Sequence, residues 1–151
     1  MAGISLTGAD VIQVDNRILA DLADGDAVQL TYPNDLAALK ASKNGNMIYS
    51  FNEMGRVVEV VIRILVGSAD DKYLNSRLQE MINDFSKFIM LTGLFVKRAG
   101  DGGGNMCNVV YQCAGGIFKR QVDAKTNVEG NPDQSVAVYT MIFGNGGKVI
   151  S

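Results

Sequence analysis

Asp70 and Asp71 come nearest to a catalytic pair, since two adjacent carboxylates could share acid–base work or hold a metal ion. Helix neighbours point about 100° apart, however, and no third ligand or positioned base accompanies them. Asp21-Leu22-Ala23-Asp24-Gly25-Asp26 has the outline of a calcium loop. With Gly25 at its sixth position, the first and third ligands would be Ala20 and Leu22 and the twelfth Thr31, so calcium chemistry fails. The run Gly100-Asp101-Gly102-Gly103-Gly104-Asn105 could cradle a phosphate. Yet the last glycine of the dinucleotide pattern falls on Asn105 or Cys107, and no helix follows to supply a dipole. It reads as a hairpin loop. Tyr73, Tyr111 and Tyr139 lack the tryptophan and basic stripe of a base-stacking surface and read as core residues. Cys107 and Cys113 lie six apart on one strand, roughly 20 Å, so they read as small core thiols of a reducing compartment rather than a disulfide.

Histidine is absent, which removes Ser-His-Asp and Cys-His catalysis and His-ligated zinc. The expectation is therefore no enzyme, no cofactor and no metal. The 151 residues suit one domain, spanning 1–151, and 47% hydrophobic with 20% charged residues is globular composition. A net charge of −2 offers no basic footprint for gripping nucleic acid. The opening Met1-Ala2-Gly3-Ile4-Ser5 has neither a basic nor an apolar region, and the longest apolar run, Val60 to Gly67, is broken by Arg63. A cytosolic product without membrane contact is expected.

The elements that must carry these residues are mostly strands. Ile4–Leu6 and Val11–Val14 read as an opening hairpin, Asp15 to Asp26 as a solvated loop and Ala27–Tyr32 as a strand. Asp35 to Asn46 reads as a long excursion with at most one helical turn. Met47–Glu53 and Val57–Val66 flank Met54-Gly55-Arg56 as a hairpin. Ser68 caps a helix over about 69–91 with Asp71 at the capping-box position, and Leu74, Leu78, Met81, Ile82, Phe85 and Ile89 form its buried stripe. Leu94–Lys97, Met106–Cys113, Ile117–Asp123 and Ser135–Phe143 are further strands, with a loop over Asn127–Gln134. The class is α+β, mainly β: two antiparallel sheets as a sandwich or open barrel, with one flanking helix.

Val57–Val66 and Val136–Phe143 are apolar on both faces over most of their length, more than one helix can cover. A second layer of the chain or another subunit must meet the remainder. A monomeric β-barrel binding a small apolar ligand is the alternative, although no polar set at a barrel mouth is identifiable.

The stretch Met54-Gly55-Arg56-Val57-Val58-Glu59-Val60-Val61-Ile62-Arg63-Ile64-Leu65, running into Gly67-Ser68-Ala69-Asp70-Asp71-Lys72-Tyr73-Leu74-Asn75, resembles the tail tube proteins of contractile-tailed bacteriophages. The chain length, the lack of catalytic residues and the opening "MAGISLTGADV" agree with that resemblance, which covers most of the chain. It implies hexameric rings whose long strands join in an inner β-barrel, stacked as a tube within the virion tail. It also implies assembly in the host cytoplasm, with sheath, baseplate and tape-measure proteins as partners and DNA passing through the lumen without specific binding. Tubes of contractile bacteriocins and type VI secretion are related settings. On this reading Val58, Val60, Ile62, Ile64 and Val66 are expected in the intersubunit barrel. Asp35, Lys40, Lys43 and Asn44 are expected in a ring-stacking loop, and Glu59 and Arg63 facing a lumen of neutral-to-negative potential.

Overall fold

The run Val58–Leu65 alternates fully buried and half-exposed residues, the period of a pleated strand covered on one face (β7). A computed structural model describes residues 5–6, 10–22, 27–100, 102–125 and 136–150. The other strands are β1 (Ser5–Leu6), β2 (Val11–Val14), β3 (Arg17–Ile18), β4 (Val28–Thr31), β5 (Ala37–Ala41), β6 (Met47–Phe51), β8 (Leu91–Gly100), β9 (Met106–Phe118), β10 (Asp123–Lys125) and β11 (Val136–Ile150). One α-helix, α1 (Ala69–Asn83), completes the described elements. The class is the expected one, mainly β with two antiparallel sheets and a single helix.

Nine strands form one sheet in the order β3-β2-β8-β9-β11-β7-β4, with β1 alongside β8 and β10 alongside β11; β5 and β6 form the second sheet. The large sheet curls until Ile12 of β2 and Val28 of β4, near its opposite ends, line one cleft. It does not close into a barrel within the chain. In the pairing of β7 with β11, Val58, Val60, Ile62 and Ile64 stand opposite Phe143, Met141, Tyr139 and Ala137. Opposed residues share a face, so these eight make one slab of core. Leu74 and Leu78 of α1 belong to the same buried cluster, as do Val14, Phe95 and Phe118.

Four expectations are corrected. The helix ends at Asn83, not near 91. Asp84 is extended (φ −155°) and its carboxylate accepts from the backbone N–H and hydroxyl of Ser86, a local capture that competes with helix continuation. Ile82, Phe85 and Ile89, the far end of the expected stripe, are consequently exposed. Second, Met47–Phe51 pairs with Ala37–Ala41, not with Val57–Val66. Glu53–Arg56 is a 3₁₀ turn, whereas Gly45 (φ +82°) supplies the left-handed residue that the tight turn after Ser42 requires.

Third, β1 and β2 do not form a hairpin with each other; both run antiparallel to β8. Fourth, the strand starting at Met106 continues through Gly115 and Gly116 to Phe118, and the last strand runs on to Ile150. A Cβ at Gly116 would lie 2.4 Å from the Phe143 ring, so the missing side chain makes room for that ring. The loop expected over Asn127–Gln134 lies outside the described residues, as do Ala23–Asp26.

Candidate assembly surfaces

The segment Asp35–Met54 is exposed at every residue. Within it β5 and β6 pair from Ala37↔Phe51 to Ala41↔Met47. The expected stacking residues sit on this arm: Asp35 at its root, Lys40 in β5, and Lys43 and Asn44 in the turn at its tip. The root is tightly held. Asn52 donates from its backbone N–H to the Leu36 carbonyl (2.7 Å) and from Nδ2 to the Asp35 carbonyl (2.9 Å), while Asn34 Nδ2 reaches the Met54 carbonyl (3.1 Å). Gly55 is buried beneath Leu36, where a Cβ would meet the Leu36 Cα at 2.6 Å. The arm is therefore a rooted β-hairpin, not the irregular excursion expected.

The expected barrel residues have a different setting. Val58, Val60, Ile62 and Ile64 are fully buried inside the chain's own core, and both edges of β7 are paired, to β11 and to β4. The expectation that this face is left for a neighbour fails because β11 and α1 cover it. Val66 lies beyond the strand end and is exposed. Glu59 and Arg63 do share the opposite face of β7, Glu59 half-buried and Arg63 exposed. Lys119 Nζ lies 2.9 Å from Glu59 Oε2, a pair that neutralises this charge. Val61, Leu65, Val138 and Ile142 fill out the same half-exposed face.

The carboxylate pair at the start of α1 is structural. Ser68 Oγ accepts from the Asp71 N–H (3.2 Å), the expected cap. Asp71 accepts from the Gly67 N–H (2.9 Å) and from the Tyr139 hydroxyl (2.6 Å), tying the helix to β11. Burial, followed by that carboxylate, pushes the Tyr139 phenol far above its usual range. Asp70 is 2% exposed. It accepts from the N–H groups of Ala20 (2.7 Å) and Asp21 (2.8 Å) and from Arg17 Nε (2.9 Å). Burial raises the Asp70 pKa, but these donors more than offset it and leave it below the usual value.

Asp15 was not singled out by sequence reasoning. Held at φ +55°, it accepts from the Tyr73 hydroxyl (2.9 Å), Arg77 Nε (3.2 Å) and the Thr92 N–H (3.2 Å). The turn pair Asp15-Asn16 between Val14 and Arg17 was its available signal. Cys113 is buried and Cys107 half-buried, both as free thiols. Among the described residues, no group of three or more His, Cys, Asp or Glu could hold a metal ion, and no helix is long and apolar enough to cross a membrane.

Compared by sequence, the chain matches no family model and no curated protein. Its fold does have solved counterparts. It is similar to a chain in the cryo-EM structure of the sheath–tube complex of an extracellular contractile injection system, PVC, in the extended state. The TM-score there is 0.62 at 10% identity over 94% of this chain and 88% of that one. A chain from the anti-feeding prophage cap, which terminates that particle's tube, gives 0.59 at 8% identity over the same shares. A chain from the six-fold symmetrised anti-feeding prophage baseplate gives 0.50 at 7% identity, covering 93% and 90%. The fold is thus shared with components of contractile injection systems along nearly the whole chain.

Proposed function

We propose that this chain is a non-enzymatic structural subunit of the inner tube of a contractile tail, assembling as hexameric rings that stack into a conduit. The observation that carries the reading is the β5–β6 arm: apolar, exposed throughout and rigidly rooted, it is a folded element that lacks its partner. A two-stranded sheet with nothing covering it is at best marginal in water. The fold shared with chains of tube-bearing particles supports the same reading.

In the assembled ring the curled sheet joins its neighbours through its outer strands, and β7 is an interior strand of the wall rather than a joining edge. The outer edge of β4 is unpaired among the described residues and is the natural place to join. The half-exposed face carrying Glu59 and Arg63 faces the lumen, with Lys119 balancing Glu59. A near-neutral wall lets DNA pass without the grip of counterion release, so assembled tubes do not bind duplex DNA at physiological salt. The Asp35–Asn46 part of the arm reaches the next ring, and sheath, baseplate and tape-measure proteins complete a virion tail assembled in host cytoplasm.

Size-exclusion chromatography with negative-stain microscopy of the purified full chain tests the proposal. Rings with six-fold symmetry, or tubes built from them, are expected. A chain that stays monomeric at roughly 100 µM refutes it, because interfaces of the standard size hold well below that concentration.

A further inference from the structure

We propose that the hairpin arm of one copy docks its apolar face into the cleft between β2, β8 and β4 of a second copy. The inference rests on the tube reading and names the surface that receives the arm.

The pairing register sorts the arm into two unlike faces. Ala37, Leu39 and Ala41 stand opposite Phe51, Tyr49 and Met47, and opposed residues share a face, so one side is wholly apolar. The other side carries Ala38, Lys40, Ile48 and Ser50. Leu39, Met47, Tyr49 and Phe51 are each more than half exposed, and the clamps at Asn34, Asn52 and Gly55 fix where the arm leaves the body. This is a binding face without its complement.

The complement lies elsewhere on the same chain. Where the curled sheet fails to close, a cleft of about 510 Å³ opens, walled by Ile12, Leu19, Leu22, Val28, Leu30 and Phe95. Its polar groups include Asp10 and Lys97, paired at 2.7 Å. Beside it runs the free edge of β4, which can accept a further strand while side chains enter the cleft.

Charge agrees with this placement. The arm brings Lys40 and Lys43, while the segments around the cleft carry Asp10 and Asp21, with Asp24 and Asp26 following in sequence. Donor and acceptor are different surfaces of one chain, so the contact is head-to-tail. Such contacts propagate into rings or filaments instead of stopping at a closed dimer. A second copy is therefore the occupant that the apolar face, the charges and the repeating geometry fit together.

The test places a photoreactive benzoylphenylalanine at Tyr49 in the full chain, with a second probe at Leu39. Labelled chains are mixed with ¹⁵N chains before irradiation, and the cross-links are mapped by mass spectrometry. Adducts from one chain onto the 10–22, 27–31 or 95–97 segments of another are expected. Lys40→Glu with Lys43→Glu should lower their yield about threefold at low salt, a difference that fades at high salt. Assembled tubes whose adducts fall on α1, on β9 or on another arm overturn this docking and leave the tube reading standing. Adducts confined to the same chain, or a monomer with no intermolecular adduct, overturn the docking, and the monomer also overturns the tube.

Discussion

Replacing Asp70 with Asn changes one atom in the most constrained polar contact of the described chain, and its cost follows from the donors around it. The carboxylate receives three hydrogen bonds, at 2.7, 2.8 and 2.9 Å, from two backbone N–H groups and Arg17. An asparagine keeps one acceptor oxygen and points an NH₂ at a donor that then has no acceptor. The Arg17 side chain is 39% exposed, so water screens its share to about 1 kcal/mol or less. The backbone bonds to a buried charge account for more, and the total loss should be about 2–4 kcal/mol. For a domain of this size that lowers Tm by roughly 5–15 °C, and Arg17→Met should cost less than Asp70→Asn. The pKa direction fixes the pH dependence. A carboxyl whose folded pKa lies below its unfolded value contributes fully above the unfolded value of about 3.9 and loses that contribution as pH falls through the folded one. Wild type and Asp70→Asn should therefore differ by a constant amount between about pH 5 and pH 8 and converge below about pH 4. Thermal denaturation followed by circular dichroism reads both effects. A variant within about 0.5 kcal/mol of wild type at pH 7, or a gap that persists to about pH 2, refutes the reasoning.

Gly116→Ala places a Cβ 2.4 Å from the Phe143 ring and 3.1 Å from Leu91 Cβ; urea denaturation should show a loss of about 1–3 kcal/mol. Ile62→Asp buries an unpaired charge in the chain's own core and should leave no folded protein by circular dichroism, assembled or not. Leu39→Asp on the exposed arm should keep wild-type Tm yet abolish stacked tubes under the microscope; normal tube lengths would count against the arm's role. Burial pushes the Cys113 thiol up to about 11, so little thiolate exists at pH 8. Alkylation of the native chain should spare Cys113 while the denatured chain reacts at both cysteines, and prompt labelling of native Cys113 would contradict its burial.

The sequence was legible wherever a local signal decided the structure. Ser68 and Asp71 announced the helix start, and the alternation through Val58, Val60, Ile62 and Ile64 announced a strand face. It misled where a distant segment decided. The partners of β7 come from Val28–Thr31 and Val136–Phe143, and nothing local to β7 says that they cover it on both edges. An apolar surplus was thus read as a subunit interface when the chain itself buries it. Two local signals were also misjudged. Asn44-Gly45 is a strong hairpin dipeptide, outranking Met54-Gly55-Arg56, and Gly115-Gly116 marks close packing beneath Phe143 rather than a strand break. The stripe through Phe85 and Ile89 kept helical spacing, but the Asp84 side chain captured Ser86 and ended the helix first.

These corrections relocate the chemistry of assembly. If β7 supplied the interface, substitutions would weaken folding and assembly together, because the same buried methyl groups would serve both. In this chain the two are separable. The core of Val58, Val60, Ile62, Ile64, Met141 and Phe143 is complete within one copy. The unmet apolar surface is carried by a clamped hairpin whose residues touch little of their own body. A protein arranged this way folds first and assembles second, since the docking face does not help to form the core. Pieces of this kind stay soluble and discrete until a neighbour presents the matching cleft, which a subunit stacked many times over in one particle requires.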